Sequence, residues 1–501
     1  MHRLRKGYKM SKRLVIVSNR LPIILSRDNK GTWQTRPSSG GLVSALTPII
    51  KERKGMWIGW LGIPGKADID ELLAKASQET GYTLEPVPLT ADEHNKYYLG
   101  FSNEILWPLF HDLQSRCNFE PAYWKAYETV NRKFARVIAE NTTDNDYIWI
   151  QDYHLMLAAR EFRLIKPDRR IGFFLHTPFP PLDIYMKLPW RLQILKGLLE
   201  YDLLGFQTVR DRNNFLHCAE VLIKGLRFDA RRQITRIKMH GRAVRVGVFP
   251  ISINYDEFVR EASDSKTINR AQQLKKATSD CQVILGADRL DYSKGVPEKL
   301  KAFKSALELF KGLRGKVTLI QIVVPSRENI PEYRKLKTEI ETLVSEINGQ
   351  FGYPGWTPVN YMFRSMPRDE LIAYYSASDI ALVTPLKDGM NLVAKEFCAS
   401  NINENAVLIL SEFAGAAQQL RKNALMVNPY DTEGTAAAIH SAYIMPAEER
   451  KARMKKLRQS IRKRDIYWWL GHFLKAAAVE PTVKPHRSAR YTVPTRKNPG
   501  Q

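Results

Sequence analysis

The chain has 501 residues, 44% of them hydrophobic, which is enough for two or three packed domains. Its formal charge of +25 invites a nucleic-acid reading, but the basic runs at residues 1–13, 451–464 and 484–497 are mostly terminal or on a helix surface and carry no aromatic-interleaved strand pattern to stack bases, which argues against sequence-specific nucleic-acid binding. No apolar run reaches the about 18 residues of a membrane span, and Cys117, Cys218, Cys281 and Cys398 are too scattered for a zinc site or a disulfide framework, which fits a reducing cytoplasm.

Residues 1–13 read as a basic, disordered lead-in to a strand over Leu14–Ser18. Ser18-Asn19-Arg20 closes that strand, so the Arg20 guanidinium stands at a carboxyl end, where open parallel sheets bind ligands. Ser39-Gly40-Gly41 follows, a turn that lets a ligand approach the backbone, and then a helix from about Val43. Trp57, Trp60, Tyr97, Tyr98 and Trp107 offer faces suited either to sugar C–H groups or to core packing. Asp68-Ile69-Asp70 and Asp144-Asn145-Asp146 match a short metal-binding pattern but fall away from strand carboxyl ends, so both read as structural and no metal site is expected.

Strand-like runs recur at Tyr147–Ile150, Ile171–His176, Leu203–Phe206 and Val246–Ile251. Gln151-Asp152-Tyr153-His154 and His176-Thr177-Pro178-Phe179-Pro180 end two of them, bringing Asp152 and His176 to one rim. After Asn254 the rhythm restarts with Val283–Ala287, Val317–Val324, Ile380–Thr384, Val407–Leu410 and Leu425–Val427. Alternating strands and helices, twice over, predict an α/β protein of two doubly wound domains, 14–252 and 253–463, facing a cleft. A helix over 464–480, carrying Trp468, Trp469 and Phe473, is expected to pack back across the junction, with a disordered basic tail over 481–501.

In the second half, Arg289 and Lys294 lie five residues apart after a strand, a fork and a point charge that could converge on one diphosphate. Arg327 ends another strand at the same level. Thr384–Glu396 ends a strand, turns through Gly389 and opens a helix from Asn391, with Asp388 and Glu396 placed to accept hydrogen bonds from sugar hydroxyls and backbone N–H groups from Gly389 to Val393 facing the ligand. Walker, Gly-x-Gly-x-x-Gly and His-Glu-x-x-His patterns are missing, so hydride or ATP-dependent phosphoryl transfer lacks its usual parts.

In their order and spacing, Ser18-Asn19-Arg20, Ser39-Gly40-Gly41, Trp107-Pro108, Asp152-Tyr153-His154, His176–Pro180, Arg289–Gly295 and Asp388–Glu396 resemble the trehalose-6-phosphate synthases, from about Leu14 to His472. The resemblance implies a GT-B fold of two Rossmann-like domains and metal-independent, retaining transfer of glucose from UDP-glucose to glucose 6-phosphate, with no cofactor. It implies catalytic roles for Arg289, Lys294, Asp152 and His176. The donor would be held by Gly40, Gly41, Arg289, Lys294, His176, Asp388, Gly389, Met390, Asn391, Leu392, Val393 and Glu396. The acceptor would be held by Arg20, Tyr98, Trp107, Asp152 and Arg327. Many relatives carry His where this chain has Gln151, a change expected to matter little. The rivals are a glucosylglycerol-phosphate synthase of the same fold and a non-catalytic regulatory subunit. The about 30 residues after the second half are too few for a phosphatase domain, so a separate phosphatase is expected to act on the product. Oligomeric state stays open, a homo-oligomer included.

Overall fold

Leu14, Val15, Ile16 and Val17 are all fully buried in strand β1 (Arg13–Arg20). The strand lies inside a parallel sheet covered on both faces, which is why it reads as an unbroken apolar run. The computed structural model describes residues 13–27, 33–37, 41–65, 69–231, 234–239, 241–278, 281–327 and 330–478. The remaining parts of the expected lead-in and tail lie outside these. Arg13, assigned to the lead-in, instead opens β1, because its guanidinium pairs with Asp146 at 2.8 Å.

The other strands of the first half are β2 (Ile23–Arg27), β3 (Trp33–Pro37), β4 (Met56–Trp60), β5 (Thr83–Pro86), β6 (Asp146–Gln151), β7 (Ile171–Leu175), β8 (Leu203–Phe206), β9 (Arg227–Arg231), β10 (Ile234–Met239) and β11 (Arg242–Val248). Those of the second half are β12 (Gln282–Arg289), β13 (Val317–Val324), β14 (Val359–Phe363), β15 (Ile380–Val383), β16 (Val407–Ser411) and β17 (Leu425–Val427). The first sheet has nine strands in the order β5-β4-β1-β6-β7-β8-β11-β10-β9. Its first seven are parallel, and β9 and β10 add an antiparallel edge. The second sheet runs β14-β13-β12-β15-β16-β17, all parallel, the doubly wound dinucleotide-fold order.

Each sheet reverses its strand order beside its first strand, between β1 and β6 in one and between β12 and β15 in the other. The carboxyl ends of those four strands are the ligand positions of such sheets. Of the two uses open to Trp57, strand β4 gives it core packing: Trp57 is fully buried, and its indole N–H donates to Ser18 at 2.8 Å. Lone short strands such as β4 and β5 carry too little pattern to be separated from buried helix turns.

The last described helix, Ile466–Ala478, packs on the first sheet although it follows the second in sequence. Its Phe473 stacks on Trp149 of β6, with ring centroids 4.2 Å apart, and the Trp469 indole donates to the Phe249 carbonyl at 3.0 Å. Arg464, expected in this helix, caps the preceding one, Ala447–Lys463. Because Trp469 is fully buried, Trp469→Ala is expected to cost about 3–5 kcal/mol. Chemical denaturation monitored by circular dichroism checks this, and a loss below about 1 kcal/mol would remove the helix from the core.

Candidate active site

The loop after β15, at the switch point of the second sheet, meets the turn after β7 of the first sheet, and the contact is backbone on backbone. A Cβ placed at Gly389 would lie 2.2 Å from the His176 carbonyl oxygen, so the loop after β15 reaches the turn after β7 only because residue 389 is glycine. Asp388 is buried beside it and bonds Lys294 at 2.6 Å. Burial pushes the Asp388 carboxyl up, but the Lys294 ammonium, with the Met390 N–H and His111, outweighs this and the net pKa is lowered. Lys294 is itself set by a short turn, Tyr292–Lys294, whose Asp291 cap accepts from the Ser293 N–H at 2.9 Å. The Leu386 N–H donates to the Ser293 carbonyl at 2.9 Å, so the loops after β12 and β15 form one unit.

The helix expected from Asn391 starts at Val393. Asn391 has φ 57°, a left-handed conformation that cannot continue a helix. Its side-chain oxygen instead accepts from the Ala394 N–H at 3.1 Å, and the Met390 N–H, expected to face the ligand, donates to Asp388 at 3.1 Å. Leu392 and Val393 are partly exposed at the loop end, and Glu396 accepts from the Tyr375 hydroxyl at 3.0 Å. Gly40 lies outside the described residues. Gly41 opens the helix Gly41–Glu52, two residues earlier than Val43.

On the first-sheet side, Asp152 has φ 70° and accepts from the N–H groups of Tyr153 at 3.0 Å and His176 at 3.2 Å. Burial raises its pKa to about 6 despite these bonds and the nearby Arg289 charge. His176 does not present a free ring. Its Nε2 lies 2.9 Å from Gln151 Oε1 and its Nδ1 lies 3.2 Å from Gln207 Nε2, and burial lowers its pKa to about 3. With both nitrogens engaged, the ring is held between Gln151 and Gln207. Gln151 thus holds the ring through its side-chain oxygen. The amide oxygen can only accept, so Nε2 must carry the proton.

A continuous line of rings joins Arg20 to Arg327. Arg20 lies over Trp60 at 5.4 Å; Trp60 meets His94 at 4.5 Å, His94 meets Tyr98 at 5.3 Å, and Tyr98 meets His154 at 5.8 Å. His154 meets Tyr153 at 4.0 Å, Tyr153 meets Trp107 at 5.7 Å, and Arg327 of the second half lies over Trp107 at 4.7 Å. The Trp107 indole N–H also donates across the seam to Asp291 at 3.4 Å. Asp291 lies 3.8 Å from Arg327. Burial opposes its ionisation, yet Arg327, Lys294 and Arg289 together hold its pKa below the usual value. Arg289 itself is exposed at the end of β12.

The structure thus gathers Arg289, Lys294, Asp388, Asp152, Tyr98, Trp107, Arg327 and Arg20 around one seam. The sequence reading missed Asp291, His111, Asp112, Lys387 and Gln207 as parts of it. Of these, Asp291 sits inside the Arg289–Gly295 motif and Lys387 inside the Thr384–Glu396 stretch, while His111, Asp112 and Gln207 lie in no motif. Of the Asp-x-Asp pairs, Asp144 and Asp146 are bound to Arg169 and Arg13, and Asp68 lies outside the described residues. Among the described residues, no group of three His, Cys, Asp or Glu side chains is arranged to hold a metal ion.

Carbon NMR of the Asp152 carboxyl, assigned with Asp152→Asn, is expected to titrate near pH 6 rather than at the ordinary 3.8. Because the folded pKa lies above the unfolded one, this group favours the native state below about pH 4 and disfavours it as pH rises through 6. A midpoint near 4 would contradict the burial described.

Residues 12–478 match the family model described as glycosyltransferase family 20. The trehalose-6-phosphate synthase of Mycobacterium leprae is 41% identical over 474 residues, covering 93% of this chain and 95% of that protein. The crystal structure of an alpha,alpha-trehalose-phosphate synthase (UDP-forming) from Burkholderia xenovorans in complex with glucose-6-phosphate aligns with a TM-score of 0.83 at 33% identity, covering 93% of this chain and all of that one. The E. coli structure bound with UDP-2-fluoro glucose aligns with a TM-score of 0.83 at 36% identity, covering 94% of this chain and all of that one. With a family match over most of its length and the fold of these enzymes, the chain belongs to glycosyltransferase family 20.

Proposed function

We propose that the chain transfers glucose from UDP-glucose to glucose 6-phosphate, forming α,α-trehalose 6-phosphate and UDP. The observation that carries the reading is the division of cations along one seam: Arg289, Lys294 and Arg327 all bear on Asp291 at one end of the ring line, and Arg20 stands at the other end. Two separate phosphates, one on each substrate, call for such a division.

In this reading the diphosphate lies against Arg289 and Lys294, with Gly41 approaching by backbone, and the donor glucose lies along Asp388 and the Gly389–Val393 segment. Glu396 takes the ribose. The glucose 6-phosphate phosphate meets Arg20, Tyr98 and Arg327, and its sugar lies against Trp107 and Asp152. The bond from the anomeric carbon to the diphosphate oxygen breaks, the acceptor hydroxyl oxygen bonds to that carbon on the same face, and its proton passes to the leaving diphosphate. The configuration is retained. Lys294 and Arg289 stabilise the charge that develops on the leaving group. A separate phosphatase then removes the phosphate from the product.

The test is UDP release that depends on glucose 6-phosphate, with glycerol 3-phosphate as the alternative acceptor. Release with glycerol 3-phosphate alone would transfer the chain to the rival synthase, and no release with either would leave it non-catalytic. Arg289→Ala is expected to lower kcat about a hundredfold or more. Turnover near wild type would remove Arg289 from the reaction.

A further inference from the structure

One short segment of the first half touches both loops of the second-half switch point. Within Trp107–Asp112, three residues, Trp107, His111 and Asp112, meet groups of the second half. The Trp107 indole donates to Asp291. His111, buried, holds the Trp107 carbonyl through Nδ1 at 2.7 Å. Burial pushes its pKa down, and the charges of Asp291, Lys294 and Asp388 all act on it. Asp112 then pairs with Lys387, the residue immediately before Asp388.

Two features of this last pair go beyond a surface contact. Lys387 is buried, with 9% of its side chain exposed, and its ammonium bonds a carboxylate 275 positions away in sequence. Asp112 holds a left-handed backbone, φ 62°, uncommon for a residue other than glycine and kept only where the surroundings enforce it. The other charges acting on Lys387 are Arg210 and Asp211, and Asp211 is committed to the Thr208 hydroxyl and the Phe179 N–H. Asp112 is therefore the counter-ion that approaches from the acceptor side.

We propose that Asp112 and Lys387 are positioning residues that latch the donor loop 384–393 onto the acceptor wall and so keep water from the activated glucose. The proposal rests on the glucosyl-transfer reading above. With the latch intact, a glucosyl group leaving the diphosphate meets the acceptor hydroxyl. With it broken, the loop stands off from Asp112 and the acceptor wall, and water attacks the same carbon, giving free glucose and UDP.

The experiment measures UDP released against disaccharide phosphate formed for wild type, Asp112→Asn, Lys387→Met and the double variant. Asparagine tolerates a left-handed backbone, so Asp112→Asn removes charge without forcing the turn. Lys387→Met keeps the buried chain length. Each single variant is expected to lower disaccharide formation about tenfold and to raise the ratio of UDP to disaccharide, and the double variant is expected to match the singles, because one pair is lost only once. Additive losses in the double variant, or singles with wild-type rate and ratio, would overturn the latch. Melting temperatures within a few degrees of wild type for Asp112→Asn show that the ratio reports positioning, and a collapse of that variant with unchanged ratio in Lys387→Met would also overturn it. Wild-type turnover decides the functional reading separately: its failure would overturn that reading and the latch with it.

Discussion

The rest of the site depends on how closely Gly389 approaches the turn at His176–Pro178. A side chain at this position would collide with the His176 carbonyl oxygen and the Pro178 nitrogen, so at this point the two halves can approach only as bare backbone. Once they meet, the loops after β12 and β15 are pressed against the line of rings on the other side. Arg327 settles over Trp107, Asp291 accepts from its indole, and Lys387 finds Asp112. Each of these contacts joins residues more than a hundred positions apart, and none could form on either sheet alone.

The seam concentrates positive charge, and burying cations without counter-ions is expensive. The chain answers with buried or half-buried carboxylates: Asp388 for Lys294, Asp112 for Lys387 and Asp291 beside Arg327. Asp291 bears on three cations at once, which lets Arg289, Lys294 and Arg327 share a small volume. The same region stores backbone strain. Asp152, Asp112, Arg327 and Asn391 account for four of the six non-glycine residues with positive φ among those described, the other two being Lys54 and Glu404. Strain of this kind is kept where both sides fix the conformation, and these four lie along the seam.

Much of this was legible in the residues themselves. β1, β12, β13 and β15 are buried on both faces and so announce themselves as apolar runs. Arg20, Asp152, Arg289, Arg327 and Asp388 could be named because each stands where such a run stops. β4, β5, the hairpin β2–β3 and the antiparallel edge β9–β10 were not read, since short or half-exposed strands carry little periodicity. Gln207, His111, Asp112 and Lys387 matter through partners distant in sequence, and no local pattern reports such a pairing. His176 shows the reverse case: its place at a strand end was visible, but the two glutamines that occupy its ring nitrogens come from different strand ends.

The central claim is that the seam transfers glucose between two phosphate-bearing substrates on one face of the sugar. Proton NMR of the product made from UDP-glucose and glucose 6-phosphate tests it most directly, because the anomeric couplings report which face was attacked. The account predicts a non-reducing α,α-disaccharide carrying one 6-phosphate, with the donor configuration kept. A product inverted at the donor carbon, or a reducing disaccharide, would contradict it.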